Sequence, residues 1–215
     1  MNLVTIAVAK GRLQEPVLKL LEKAGIGFSP DSLSSRRLAI ENDTGEYRFL
    51  FVKPADVPVY VEHGIADCGV VGRDVLLETT TDLLQPLMLG IGRCQVVVAG
   101  RTVAPVPNGG VLKVATKYPR LAADHFGARG VPVEIITLAG SVELAPVLGL
   151  ADCIVDLMET GETLRENGLV VVEVIAESSA CLVVNRASFH LKADAVNKLT
   201  TLLNEQVSGE MTCSK

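Results

Sequence analysis

The sequence predicts a mixed α/β protein that is built from two similar lobes. Short apolar segments rich in β-branched residues alternate along the chain with segments of helical periodicity, which is typical of α/β folds. A five-residue phrase also occurs twice, as GIADC in Gly64–Cys68 and as GLADC in Gly149–Cys153. Each copy follows a predicted helix and precedes a short strand, a polar loop and the start of another helix. Extended segments around 88–99 and 172–184 would connect two units of this kind.

This organisation indicates a specific two-lobed architecture. Two α/β lobes joined by two crossovers, with a C-terminal helix that returns to the first lobe, describe the type II periplasmic-binding-protein architecture, in which ligands lie in a cleft between the lobes. We therefore expect lobe I to comprise residues 1–90 and 180–215, and lobe II residues 91–179. Within the repeated phrase, the glycine should end a helix, the alanine should pack closely, and the aspartate should cap the turn.

The individual elements follow from apolar periodicity and from the positions of glycine and proline. Pro16 falls in the first turn of the first helix, and Gly25 ends that helix. The turn Asn42–Gly45 separates two strands that should pair as a hairpin. Strands are expected at 3–9, 36–40, 47–52, 69–72, 87–99, 113–116, 133–138, 153–157, 169–175 and 180–185. Helices are expected at 14–24, 53–63, 73–78, 117–126, 143–150, 164–167 and 192–207.

Composition excludes several classes of function. The formal net charge of −5, with no basic stripe, argues against nucleic acid as a partner. No apolar run approaches the roughly 20 residues that span a bilayer, and the N-terminus has no cleavage-site pattern, so neither a membrane protein nor a signal peptide is expected. The five cysteines stand singly, which predicts reduced thiols and a cytoplasmic location.

The stretch Glu143–Leu164 carries the clearest functional signal in the chain. A buried-type strand ends at Asp156, and Glu159–Thr163 then leads into a helix. Backbone N–H groups at a helix start, together with the hydroxyls of Thr160 and Thr163, are suited to bind a phosphate. A carboxylate such as that of Asp156 suits sugar hydroxyls or a divalent metal instead. The loop therefore predicts a site for a phosphorylated sugar.

A second candidate site lies near the N-terminus, where a strand becomes a helix. Lys10, Gly11 and Arg12 occupy this position, which is where open α/β sheets bind ligands. Two cations that flank a glycine there suggest a second contact for phosphates. The alternative interpretation is that they are two solvated surface charges.

The full spacing of these residues resembles the ATP phosphoribosyltransferase family. The signature positions are Glu143, Gly149, Ala151, Asp152, Ile154, Asp156, Leu157, Thr160, Gly161, Thr163 and Leu164. Other blocks that resemble the family, in the same order, are Lys10–Arg12, Lys53–Val57, Gly64–Asp74, Ala115–Pro119 and Gly140–Glu143. The chain departs from the pattern at Glu159, where many members carry serine or threonine.

The resemblance implies an activity, a metal and partners. Members of the family join N1 of the adenine of ATP to C1 of phosphoribosyl pyrophosphate and release pyrophosphate with Mg²⁺, in the first step of histidine biosynthesis. Catalysis would rest on positioning and electrostatics, without a nucleophilic side chain. The chain resembles the short form of the family, which works with a regulatory subunit similar to histidyl-tRNA synthetase; a homodimer within a hetero-oligomer is therefore expected.

The resemblance also implies roles for individual residues. The phosphoribosyl pyrophosphate site would comprise Glu143, Asp156, Glu159, Thr160, Gly161, Glu162 and Thr163. The site for ATP or pyrophosphate would comprise Lys10, Gly11, Arg12, Arg36, Lys53, Gly72, Asp74, Lys117 and Tyr118. Mg²⁺ would be held by Glu143 or Asp156.

Two other functions are compatible with parts of the sequence. A type I phosphoribosyltransferase has a similar Thr-Gly-x-Thr loop, but it usually carries paired acids at the strand end, where Leu157 follows Asp156 here. A non-catalytic protein that captures an anion or nucleotide could share the two-lobed fold, because fold does not fix function.

Overall fold

The computed structural model describes residues 3–29, 37–102 and 110–212. The chain forms two compact units, one of residues Met1–Gly92 and Ser179–Lys215 and the other of residues Arg93–Ser178. The sequence places these boundaries near 90 and 180. The predicted cleft between the lobes stays a prediction, and each unit is described by itself.

The first unit holds a six-stranded sheet in the order β2-β3-β1-β4-β11-β5. Its strands are β1 (Val4–Ala9), β2 (Ala39–Glu41), β3 (Tyr47–Val52), β4 (Cys68–Gly72), β5 (Leu84–Met88) and β11 (Ala180–Val184). Its described helices are α1 (Gln14–Lys23), α2 (Asp56–Glu62), α3 (Arg73–Glu78), α7 (Arg186–Leu191) and α8 (Ala193–Thr212). Strand β1 is parallel to β3 and β4, whereas β11 is antiparallel to β4 and β5.

The second unit holds a five-stranded sheet in the order β10-β6-β9-β7-β8. Its strands are β6 (Cys94–Gly100), β7 (Leu112–Thr116), β8 (Val133–Thr137), β9 (Cys153–Met158) and β10 (Val170–Ser178). Its described helices are α4 (Pro119–Gly127), α5 (Leu144–Val147) and α6 (Glu162–Glu166). Strand β7 is parallel to β8 and β9, whereas β6 is antiparallel to β9 and β10.

The two sheets share one topology, so the repeated phrase marks a structural repeat. Read from opposite ends, β3-β1-β4-β11-β5 of the first sheet corresponds to β8-β7-β9-β6-β10 of the second, with the same parallel and antiparallel pairs. In both units the phrase lies between a short helix and the third strand of the series. The first sheet differs by one extra edge strand, β2, which forms the predicted hairpin with β3.

The aspartate of the repeated phrase bonds to a neighbouring strand rather than capping its own turn. Asp67 donates its N–H to the carbonyl of Thr5 at 2.8 Å, and its Oδ2 accepts the N–H of Thr5 at 2.8 Å. Asp152 forms the same pair of bonds with Lys113, at 2.9 and 2.8 Å. The predicted turn cap is therefore wrong. These bonds fix the start of β4 against β1 and the start of β9 against β7.

Helices cover both faces of the first sheet, because β1 is apolar on both sides. Val4, Ile6 and Val8 pack in one cluster with buried residues of α1 and α8, and Ala7 and Ala9 pack in another with Val57 and Val61 of α2. A strand that is buried on both faces has a nearly continuous apolar sequence, as Val4–Ala9 has apart from Thr5.

The predicted elements differ from the observed ones at two places in the chain. The strand expected at 87–99 is two strands, β5 and β6, which belong to different sheets. Gly90 and Gly92 separate them with φ of 67° and 59°, a conformation that an extended strand does not adopt. The sequence prediction also missed α7, which precedes the long C-terminal helix. Asn185 caps α7 by accepting the N–H of Ser188 at 3.0 Å.

Candidate functional site

The carboxyl ends of three parallel strands bring the second unit's candidate residues to one edge of its sheet. Thr116 of β7 is level with Val155 of β9, so the next residues, Lys117 and Asp156, face each other. Lys117 Nζ lies 3.2 Å from Asp156 Oδ1. Two residues far apart in sequence therefore form an ion pair at the point where their strands end.

Asp156 is a buried carboxylate with two contacts that favour its charged form. Burial raises the pKa of the Asp156 carboxyl, and the charge of Glu143 raises it too. The ammonium of Lys117 and the backbone N–H of Leu157, which donates to Asp156 Oδ1 at 2.8 Å, act in the opposite direction. Glu143 follows β8, the strand on the other side of β7, and its charge contributes to the raised pKa of Asp156.

Glu143 reaches this edge through an unusual turn after β8. It occupies the N-cap position of α5, and Ser141 precedes it with φ of 48°. A positive φ is uncommon for serine and costs backbone energy, and such residues cluster at functional sites. The residue types alone do not reveal the strain at Ser141.

The predicted phosphate loop connects β9 to α6. Gly161, at the N-cap of α6, has φ of 74°, and a Cβ there would lie 3.2 Å from Met158 Sδ. Thr160 Oγ1 accepts the N–H of Glu162 at 3.4 Å. Within the described residues, the N–H groups of Gly161 and Thr163 have no hydrogen-bond partner. The loop thus offers backbone donors at a helix start.

The side chains of the loop are mostly exposed at this edge, whereas Tyr118 is buried. Glu159, Thr160, Glu162 and Thr163 are exposed. Tyr118 is buried and directly precedes α4.

The first unit presents a corresponding edge. Lys10 donates its N–H to the carbonyl of Val52 at 2.8 Å, so Lys10 and Lys53 follow neighbouring strands at the same level. Gly72 ends the strand on the other side of β1. Both lysines are exposed. The topology therefore places three predicted residues, from three parallel strands, in one row.

Three other predicted site residues of the first unit lie in a tight turn, bond to the backbone or are buried. Gly11 has φ of 84°, which its place in a tight turn requires. Arg12 Nη1 donates to the carbonyl of Gly92 at 2.7 Å, so this guanidinium is bonded to the backbone. Asp74 is buried, and its carboxylate lies so close to Gly72 that a Cβ there would be 2.2 Å from Asp74 Oδ1. The predicted site residue Arg36 lies outside the described residues.

A lysine substitution offers a direct check on the ion pair in the second unit. In Lys117→Ala, the pKa of Asp156 should rise further, because the cation that favours its charged form is lost. The pKa of Asp156 in the folded chain already exceeds its unfolded value of about 3.9. Its contribution to stability is therefore present below about pH 4 and is lost as the pH rises through the folded pKa. That loss should be larger in the variant.

The measurement is an NMR titration of the Asp156 carboxyl carbon. Lys113→Ala is the matched control, because Lys113 lies at the other end of β7 and is 3.9 Å from Glu134. An unchanged titration of Asp156 in Lys117→Ala would show that the ion pair is absent in solution.

The described residues do not contain a preformed metal cage or a membrane span. In 3–29, 37–102 and 110–212, no group of three or more His, Cys, Asp or Glu side chains is arranged to hold a metal ion. No described helix is long and apolar enough to cross a membrane. Cys68, Cys94, Cys153 and Cys181 are buried free thiols, and Cys213 lies outside the described residues.

A repeated α/β unit with a predicted phosphate loop beside a buried aspartate is the arrangement from which the sequence predicts an enzyme that handles phosphorylated sugars. The ATP phosphoribosyltransferase family model matches residues 53–205. An ATP phosphoribosyltransferase of Sorangium cellulosum is 50% identical over 206 residues, covering 96% of this chain and 97% of the relative. Another, of Caldanaerobacter subterraneus, is 47% identical over 212 residues and covers 97% and 100%.

Solved structures of similar fold include a member of the same family. A chain of the ATP phosphoribosyl transferase (HisG:HisZ) complex from Thermotoga maritima has a TM-score of 0.83 at 37% identity, covering 96% of this chain and 99% of that chain. The periplasmic VFT2 domain of Bordetella pertussis BvgS has a TM-score of 0.56 at 16% identity, covering 96% and 92%, which shows likeness of fold alone. The predicted two-lobed α/β fold class is confirmed.

The chain belongs to the ATP phosphoribosyltransferase family. These matches confirm the predicted enzyme class, a pentosyltransferase, and the predicted step, the first of histidine biosynthesis. They also decide against the two alternatives, a type I phosphoribosyltransferase and a non-catalytic binding protein. The roles of individual site residues stay predictions.

Proposed function

We propose that the carboxyl edge of the second unit's sheet binds phosphoribosyl pyrophosphate and presents its C1 to ATP. The observation that carries this proposal is the ion pair between buried Asp156 and exposed Lys117, one short loop before the Gly161 turn. In the reaction, the lone pair of adenine N1 forms the new bond to C1. The bond from C1 to the pyrophosphate oxygen breaks, and its electron pair leaves with pyrophosphate.

The loop Glu159–Thr163 would hold the 5-phosphate. The N–H groups of Gly161 and Thr163 are available donors, and the threonine hydroxyls add two more. Because Gly161 has a positive φ, the backbone turns there, as in other anion-binding loops. The exposed carboxylates of Glu159 and Glu162 disfavour a phosphate in their direction, so the backbone and hydroxyls provide the binding.

Asp156 and Lys117 would act on the sugar and the leaving group. A carboxylate can accept hydrogen bonds from the ribose hydroxyls, and it stabilises positive charge that develops at C1 in an oxocarbenium-like transition state. Lys117 and Tyr118 would line the same site, where an ammonium favours the charge that accumulates on the departing pyrophosphate.

The donor set of this edge suits Mg²⁺. Mg²⁺ usually takes one or two carboxylates, several waters and substrate phosphates, rather than a cage made only of side chains. Asp156 and Glu143, whose charge contributes to the raised pKa of Asp156, would provide two carboxylates, and phosphoribosyl pyrophosphate would provide the phosphates. When bound, the ion would neutralise charge on pyrophosphate.

The row of cations in the first unit would bind phosphates of ATP or pyrophosphate. Lys10 and Lys53 are exposed and follow neighbouring parallel strands, and Gly72 ends the strand on the other side of β1, with the Asp74 carboxylate close beside it. Arg12, Gly11 and Asp74 support this edge through the backbone contacts and burial described above. Arg36 is proposed for the same role on the family resemblance alone.

A regulatory subunit resembling histidyl-tRNA synthetase is the proposed partner, in a hetero-oligomer that contains a homodimer of this chain. The similar Thermotoga chain comes from a two-component complex, which supports this proposal. A reducing compartment, the cytoplasm, agrees with four buried free cysteines.

The activity is tested with the full chain, with and without that partner subunit. ATP, phosphoribosyl pyrophosphate and Mg²⁺ should yield N1-substituted adenine, which is followed by its absorbance, and chelation of Mg²⁺ should stop turnover. Absence of product with the partner present would refute the proposed reaction. Turnover of a free base in place of ATP would indicate a different phosphoribosyltransferase.

The loop makes a sharper prediction. Thr163→Ala should weaken binding of ribose 5-phosphate by roughly 1–3 kcal/mol, because a hydrogen bond to a charged phosphate is lost. The exposed position of Thr163 means that folding should change little. Isothermal titration with ribose 5-phosphate measures the effect.

Lys10→Ala provides the comparison. Ribose 5-phosphate lacks the pyrophosphate group, so loss of Lys10 should leave its affinity unchanged while weakening the binding of ATP. Equal affinities for ribose 5-phosphate in Thr163→Ala and the unmodified chain would show that the loop is not the phosphate site.

A further inference from the structure

A buried threonine connects the two strands that carry the proposed substrate site. Thr116, the last residue of β7, is fully buried. Its Oγ1 donates to the carbonyl of Val155 in β9 at 2.6 Å and accepts the N–H of Tyr118 at 2.8 Å. A hydroxyl can donate once and accept at the same time, so this single group satisfies both contacts.

These two bonds act on the residues on either side of the ion pair. The bond to Val155 fixes the end of β7 against the residue that precedes Asp156. The bond from Tyr118 closes the turn over Lys117, which lies between Thr116 and Tyr118 in the chain. Serine and threonine hydroxyls commonly bond to an N–H two residues on in this way. Thr116 therefore holds Lys117 from both sides.

The repeat in the chain shows that the fold itself does not need this hydroxyl. Asp67 bonds to the backbone of Thr5 in the first unit as Asp152 bonds to the backbone of Lys113 in the second. Thr5 therefore corresponds to Lys113, and Val8, three residues further along, corresponds to Thr116. Val8 is level with Val70 and is fully buried, as Thr116 is level with Val155. The same sheet position thus accommodates a valine, whose shape matches threonine without the hydroxyl.

We infer that Thr116 is a positioning residue for phosphoribosyl pyrophosphate, which holds Lys117 and Tyr118 in register with Asp156. The inference rests on the proposed function of this edge. Thr116 is buried, and both hydrogen bonds of its hydroxyl are to backbone atoms, so it acts through its neighbours and not on the substrate itself.

The test compares substitutions of Thr116 in the full chain with its partner subunit. In Thr116→Val, kcat/KM for phosphoribosyl pyrophosphate should fall about 10- to 100-fold, since small misplacements of catalytic groups have effects of this size. The KM for ATP should change less than about twofold, and Thr116→Ser should stay within about threefold of the unmodified enzyme because it keeps the hydroxyl. Thr116→Cys, whose thiol is a weak hydrogen-bonding group, replaces the valine variant if that variant does not fold.

Thr200→Val is the matched control. The Thr200 hydroxyl also donates to a backbone carbonyl, that of Val196 at 2.9 Å, but it lies in α8 of the first unit. Its loss should leave both KM values unchanged.

The outcomes separate this inference from the proposed function. Wild-type kinetics in Thr116→Val, an equal loss in Thr116→Ser, or an equal rise in both KM values would each overturn the positioning role while the reaction itself stands. An inactive unmodified enzyme would instead overturn the proposed function, and the failure would then appear without any substitution.

Discussion

Replacement of Asp156 by asparagine should reduce kcat/KM for phosphoribosyl pyrophosphate by about 100-fold without destabilising the chain. The side chain keeps its shape, but it loses the negative charge that would stabilise developing positive charge at C1. Removal of one such electrostatic contact typically costs a factor of about 10² to 10³ in rate. The variant also leaves Lys117 without its carboxylate partner, which disturbs the neighbouring cation.

Stability should respond in the opposite sense. Burial raises the pKa of the Asp156 carboxyl, so its ionised form is less favourable in the folded chain than in water. An asparagine can still accept the N–H of Leu157 and carries no charge to bury. We therefore expect the free energy of unfolding to stay unchanged or to increase slightly at neutral pH. A group that costs stability and supports activity is a common pattern at functional sites.

The check combines steady-state kinetics with urea unfolding of the same preparation. Asp152→Asn is the matched control: Asp152 lies just before the other end of β9, is exposed, and should have little influence on kcat/KM. Full activity in Asp156→Asn would remove Asp156 from the catalytic site. A large loss of stability would show that its role is structural.

The sequence predicted the repeat and the loop because each leaves a local signature. The phrase in Gly64–Cys68 and Gly149–Cys153 has a fixed spacing to its helix and strand, and the shared strand topology follows from it. The loop Glu159–Thr163 was accessible for the same reason, since a polar segment with a glycine between a strand and a helix indicates a loop. Apolar periodicity located most strands to within a few residues.

Other features depend on contacts between distant segments, which a single sequence does not contain. The Lys117–Asp156 pair requires the parallel register of β7 and β9, whose paired residues are 39 positions apart. The role of Thr116 has the same origin, although a threonine two residues before a helix cap was a weak local signal. The break at Gly90 and Gly92 was missed because apolar residues lie on both sides of these two glycines, as they would in a single strand.

The second large effect concerns Asp67, for which Asp67→Ala should destabilise the chain by about 3–5 kcal/mol. Besides its bond from Thr5, this buried carboxylate accepts Ser188 Oγ at 2.7 Å and Lys192 Nζ at 2.7 Å. Lys192 Nζ also donates to the carbonyl of Leu3 at 2.8 Å. Removal of Asp67 leaves the half-buried ammonium of Lys192 without its carboxylate, and losses of this size are typical when a buried ion pair loses one partner.

Asp152→Ala is the internal control for that value. Asp152 makes the same backbone clamp to Lys113, but it is exposed and has no bond from a lysine or serine side chain within the described residues. Its substitution should cost only about 1 kcal/mol, the worth of an ordinary hydrogen bond. The difference between the two losses in the free energy of unfolding then gives what the C-terminal helices contribute through Ser188 and Lys192.

Urea unfolding measures the free energy of unfolding of each variant, and native-state hydrogen exchange shows which strands and helices lose stability. In Asp67→Ala, protection should fall for amides of β1, β4 and α8, while β7 and β9 of the other unit keep theirs. Equal losses in the two variants would mean that the backbone clamp alone matters. The helices after β11 would then be held to the first unit by apolar packing of Val196, Leu199 and Leu203, and not by the Asp67 network.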